Sequence, residues 1–108
     1  MSESQRRRLE GLYEAHAVAI LTYGLRRSGS LADAQDVVAE TFLVAWRRID
    51  DIPEEDPFLW LLAVARNVAL NKERSGRRRA LLAQRTEALQ ETVEAAKDEM
   101  VVERADLA

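Results

Sequence analysis

DAQDVVAETFLVAWRRID, residues 33–50, carries a single period, and that period is helical. With Leu31 just ahead of it, Ala34, Val38, Phe42, Ala45 and Ile49 follow at spacings of three and four, which places them on one side of a helix. Opposite that stripe stand Asp33, Asp36, Glu40, Leu43 and Arg47, flanked by Val37 and Val44. An apolar strip beside carboxylates suits a partner helix bearing basic residues. The same pattern also fits ordinary surface, with the valines belonging to a broader core stripe. A core-facing helix over residues 31–49 is the expectation.

Helical periods extend outward in both directions, and no stretch alternates strictly in twos. Upstream, Leu9, Leu12, Tyr13, Ala17, Ile20, Leu21 and Leu25 predict a helix over residues 4–27, closed by a basic last turn and Gly29. Ser30 then caps the second helix, with Asp33 three residues on as in a capping box. So short a link predicts an antiparallel hairpin. Downstream, Asp50, Asp51, Ile52, Pro53, Glu54 and Glu55 break the period and form a loop. Asp56 followed by Pro57 reads as an N-cap with proline in the first helical position. A third helix is predicted over residues 57–76, with Phe58, Leu61, Leu62, Ala65, Val68 and Ala69 toward the core. Residues 80–108 are rich in Ala, Glu and Leu and hold neither Gly nor Pro, which predicts a helical but weakly packed tail. The fold class is all-α, a compact bundle of three main helices with a helical C-terminal linker or tail.

Composition narrows the function. The chain has 108 residues, no cysteine and one histidine. Disulfides and thiolate metal sites are excluded, and a histidine-based metal site or catalytic triad is disfavoured. No carboxylates fall in an acid/base or metal pattern, so no enzyme activity and no cofactor are expected. No apolar run approaches the ~20 residues of a membrane span, and a cytoplasmic domain is the expectation. The net charge of −3 conceals a local excess: residues 66–79 hold six cations (Arg66, Lys72, Arg74, Arg77, Arg78, Arg79) against the single anion Glu73. The segments on either side are acidic.

On the third helix, Asn67, Asn71, Arg74 and Arg78 are spaced by four, three and four, a narrow stripe away from the core that Trp60 and Val64 extend toward the N-terminus. Asparagine is a poor helix former, and two on one line weaken a helix that gives them no other use. Amides can bond base edges, arginines can hold phosphates, and an indole can stack on a base. The stripe equally describes a solvated helix end whose cations suit the helix dipole. The periodicity leaves both open.

Taken together, DAQDVVAETFLVAWRRID and WLLAVARNVALNKERSGRRR, residues 60–79, resemble region 2 of bacterial extracytoplasmic-function sigma factors. The resemblance covers roughly residues 9–82. It implies a domain that docks on the clamp coiled coil of the RNA polymerase β′ subunit and recognises and helps melt the promoter −10 element. By position it assigns polymerase contact to Asp36, Val37, Glu40, Leu43, Val44 and Arg47. It assigns DNA contact to Trp60, Asn67, Asn71, Lys72, Arg74, Arg77, Arg78 and Arg79. A pocket for a flipped non-template base would form from the loop residues Ile52, Pro53, Glu54, Glu55 and Asp56 with the third helix. An anti-sigma factor is a further implied partner. The alternatives are a free-standing helical regulator of duplex DNA and a protein-interaction module whose main partner is an anti-sigma factor.

Two departures stand out. The loop lacks the aromatic-arginine-glycine segment common in the family and carries Glu54, Glu55 and Asp56 instead. Nothing corresponds to region 4, the helix-turn-helix that reads the −35 element. The expected division is therefore a region 2 domain over residues 1–82 and an acidic interdomain linker over 83–108, within a longer protein. Among single residues, Phe42 and Trp46 are expected to pack in the core, Trp60 to lie at the core edge or on DNA, and His16 to have no special role. Arg6, Arg7 and Arg8 are expected to be solvated.

Overall fold

Ser2 opens the first helix, α1 (Glu3–Ser28), through a complete capping box: its hydroxyl accepts from the Gln5 N–H, and the Gln5 side chain accepts from the Ser2 N–H. The helix thus begins a residue before the predicted start. The computed structural model describes the backbone of residues 1–107 and the side chains of residues 1–99. α1 ends at Gly29, which takes the left-handed conformation (φ 69°) and returns its N–H to the Leu25 carbonyl at 2.8 Å. Ser30 caps α2 (Leu31–Arg47) by accepting from the Asp33 N–H at 3.2 Å. α2 stops two residues short of the prediction, and Ile49–Asp51 form a 3-10 turn. α3 (Pro57–Leu107) follows the loop. All the described regular structure is helical.

The chain divides into two units, Met1–Lys72 and Glu73–Ala108. In the first, Gly24 of α1 lies against Ala34, the Tyr13 ring meets Phe42 edge-on, and Arg8 reaches Ile49. Rising numbers on α1 pair with falling numbers on α2, so the hairpin is antiparallel. α3 likewise runs antiparallel to α2, since Lys72 meets Asp36 and Glu40 while Trp60 meets Arg48. The buried core comprises Leu12 and Ile20 of α1, Val37, Val38, Phe42 and Ala45 of α2, Ile49 and Ile52 of the connection, and Leu61, Ala65, Val68 and Ala69 of α3. Each large aliphatic side chain so buried contributes about 1.5–3 kcal/mol. Tyr13, Leu25 and Leu31, expected in the stripes, lie exposed at the core margin.

The hairpin closes tightly at Gly24. A Cβ there would stand 3.1 Å from the Ala34 Cα, closer than side chains normally tolerate. Thr41 is fully buried among the apolar residues, and its hydroxyl has no hydrogen-bond partner.

The second unit is the remainder of α3, and its described side chains, residues 73–99, are all exposed. The helix does not break at Gly76 as predicted. An interior glycine costs only about 1 kcal/mol relative to alanine. The arginines, leucines and alanines after it are good helix formers, and no proline follows. The tail is helical, as expected, and its described side chains are exposed.

Candidate functional site

The outer face of α2 remains free of the core at Asp36, Glu40, Leu43 and Arg47, all exposed. Val37 does not belong to that surface: it is 3% exposed and sits in the core. Val44 is half-buried and partly withdrawn with it. The wider core stripe, not the flanking strip, is where the valines fall. Trp46 takes their place on the surface. It was expected in the core, yet it is 49% exposed, one helical step from the fully buried Ala45. Spaced three from Leu43 and next to Arg47, Trp46 gives the face an apolar patch between charges. The spacing of Leu43 and Trp46 was visible in the sequence, but aromatic character outweighed it.

Lys72 was expected on DNA. The structure instead turns it toward α2, where its Nζ stands 3.2 Å from a Glu40 carboxylate oxygen and 3.6 Å from one of Asp36. The register explains this, because Lys72 lies one turn beyond the buried Val68 and so continues the α2-facing side. Its ammonium offsets part of the negative charge at the acidic end of the α2 face.

The connection from α2 to α3 is built from three ties. Ile52, expected to line a base pocket, is 3% exposed and anchors the loop in the core. Arg8, expected to be solvated, is half-buried and donates to the carbonyls of Ile49 at 2.8 Å and Ile52 at 2.7 Å. Gln5 Nε2 donates to Asp50 Oδ1 at 3.0 Å. No local sequence signal announces these contacts, since both partners are distant in the chain. Pro53, Glu54, Glu55 and Asp56 remain exposed. Asp56 holds a left-handed backbone (φ 52°), unlike the extended conformation usual at an N-cap.

Trp60 is half-buried at the core edge, and the Arg48 guanidinium lies over its ring, 5.6 Å from the centroid. Arg48 also donates from Nε to Asp51 at 3.1 Å. That ring face is therefore already occupied. His16, half-buried, packs on Phe58 with 5.4 Å between ring centroids. Asn67 and Asn71 project from α3 into solvent, as the stripe predicts. By the helical rise they stand about 15 and 21 Å along the axis from Pro57. In the second unit, Arg74, Arg77, Arg78 and Arg79 are all exposed.

The chain has relatives among known proteins. The Sigma-70 region 2 family model matches residues 12–79. The ECF RNA polymerase sigma factor SigL of Mycobacterium tuberculosis, in strains Erdman and H37Rv, is 39% identical over 71 residues. The matched segment covers 64% of this chain and 40% of the length of those relatives.

Proposed function

Because the chain belongs to the Sigma-70 region 2 family, we propose that it is the part of an extracytoplasmic-function sigma factor that docks on RNA polymerase core and captures the opened −10 element. The docking face is α2, through Asp36, Glu40, Leu43, Trp46 and Arg47, with the β′ clamp coiled coil as partner. Val37 and Val44 support this face from beneath, and Lys72 braces its carboxylates. An anti-sigma factor would act by covering the same surfaces. The domain performs no chemistry itself; it works in the cytoplasm, where the polymerase is. Among the described residues no helix is long and apolar enough to cross a membrane.

DNA capture divides between two stations. Pro53, Glu54, Glu55 and Asp56 address one nucleotide of the non-template strand, whose flipping costs a few kcal/mol that stacking and polar contacts must offset. Asn67 and Asn71, exposed on α3, join the loop in that capture with amides that can bond base edges. The exposed carboxylates of the loop select by accepting from a base amino group. Arg74, Arg77, Arg78 and Arg79 hold backbone phosphates and make binding salt-dependent.

One observation carries this reading: α2 keeps an unpaired apolar and charged strip, Leu43, Trp46 and Arg47, on the outside of a hairpin whose inner face is already filled. The test of DNA capture is binding of single-stranded −10 DNA by the polymerase-bound chain. Asn71→Ala should weaken it by ~1–3 kcal/mol, the scale of one base contact. Undiminished capture by that variant would remove Asn71 from the interface.

A further inference from the structure

α1 belongs to neither proposed surface, yet it holds the loop that presents one of them. Arg8 is 41 and 44 residues distant in sequence from its two carbonyl acceptors, Ile49 and Ile52. A planar guanidinium offers several donors in a fixed fork and can serve both carbonyls at once, as a single ammonium cannot with the same geometry. One turn earlier on α1, Gln5 holds the Asp50 carboxylate between those two carbonyls in the chain. The buried Ile52 side chain adds an apolar anchor. At the far end, Asp56 has a left-handed backbone, which aspartate enters more readily than most non-glycine residues, and Pro57 fixes the next φ. Between these ends only Pro53, Glu54 and Glu55 remain, and Pro53 again has a fixed φ. Such a segment meets its ligand with its conformational entropy already spent.

We infer that Arg8 is a positioning residue for base recognition: by fixing residues 49–52 it sets the shape in which residues 53–56 meet a nucleotide, without touching DNA. The inference rests on the proposed role of this loop. It predicts that removing the guanidinium changes which base is accepted at one position while leaving polymerase docking and the α3 contacts intact.

Two measurements on Arg8→Met, with Arg8→Lys alongside, test it. The first is amide hydrogen exchange of the free chain, which does not depend on any DNA role. Exchange of the Asp51 and Ile52 amides, which donate to the Arg48 and Ile49 carbonyls, should quicken at least tenfold in Arg8→Met and less in Arg8→Lys, with α2 amides unchanged. The second is selection from a single-stranded DNA pool of randomised sequence by the chain bound to core polymerase. Wild type should enrich defined bases at several positions, and Arg8→Met should lose at least tenfold in discrimination at one of them while the others persist. Unchanged exchange, or an unchanged base preference at every position, overturns the role of Arg8. Enrichment that fails at every position, in a variant with intact α2 amides, also overturns it, because the effect would then not be local to the loop. A wild-type chain that captures no polymerase removes the proposed function and this inference together, whereas one that docks but enriches no base removes base reading alone and this inference with it.

Discussion

Lys72 of α3 stands with its Nζ 3.2 Å from the Glu40 carboxylate of α2, and so ties the helix proposed to read DNA to the helix proposed to meet polymerase. A second carboxylate, Asp36, lies 3.6 Å away. The Lys72 side chain is 30% exposed and those of Asp36 and Glu40 are 64% and 52% exposed, so solvent screens the bridge. Its net contribution is below about 1 kcal/mol. Its effect on function is geometric and electrostatic: it orients two acidic side chains and spends a cation that the sequence appeared to offer to phosphate.

Lys72→Met should therefore leave the salt dependence of single-stranded DNA binding unaltered. Arg78→Ala, by contrast, should reduce the slope of log affinity against log salt by about 0.7, the value for one phosphate contact on a single strand. Titrations at several salt concentrations read both slopes. A reduced slope for Lys72→Met would return that residue to the DNA surface.

Thr41 buries a hydroxyl that nothing satisfies. Replacing it with the near-isosteric valine removes the desolvation penalty without opening a cavity. Thr41→Val should raise the unfolding free energy by about 1 kcal/mol, read from urea denaturation. A loss of stability of similar size would show that the hydroxyl finds a partner in solution.

Gly24 marks the closest approach of α1 and α2. Gly24→Val adds two methyl groups and a Cβ against the Ala34 backbone and should destabilise the hairpin by about 1–3 kcal/mol. Gly11, with open space around the position of its absent Cβ, serves as the control. Gly11→Ala should be neutral or stabilising by up to about 1 kcal/mol through helix propensity. Denaturation midpoints of the two variants, compared with wild type, decide the point.

The helices were legible because periodicity records which side of each helix is buried. Ala34, Val38, Phe42, Ala45 and Ile49 on the central stripe all lie in the core, as do Leu61, Ala65, Val68 and Ala69 of α3. What periodicity could not supply was the width of the buried arc. Val37 and Thr41 also fall inside it, at 3% and 0% exposure. Trp46 falls outside it despite its size. The loop was the least legible part: Ile52 looked like a pocket residue and Arg8 like a solvated cation, and only the fold brings them together across 44 residues. The continuous helix through Gly76 shows the reverse case, in which a local signal for termination was outweighed by helix formers on both sides.

Capture of bacterial core RNA polymerase by this chain tests the central claim most directly, with Glu40→Arg and Trp46→Ala as companions. Glu40→Arg reverses a charge on the proposed docking face and also breaks the Lys72 bridge, whereas Trp46→Ala removes apolar contact and leaves the bridge alone. Both variants should keep wild-type helical circular dichroism, and both should lose at least tenfold in affinity for core. Wild-type affinity in two folded variants would contradict the docking face, and no capture by the folded wild-type chain would contradict the account as a whole.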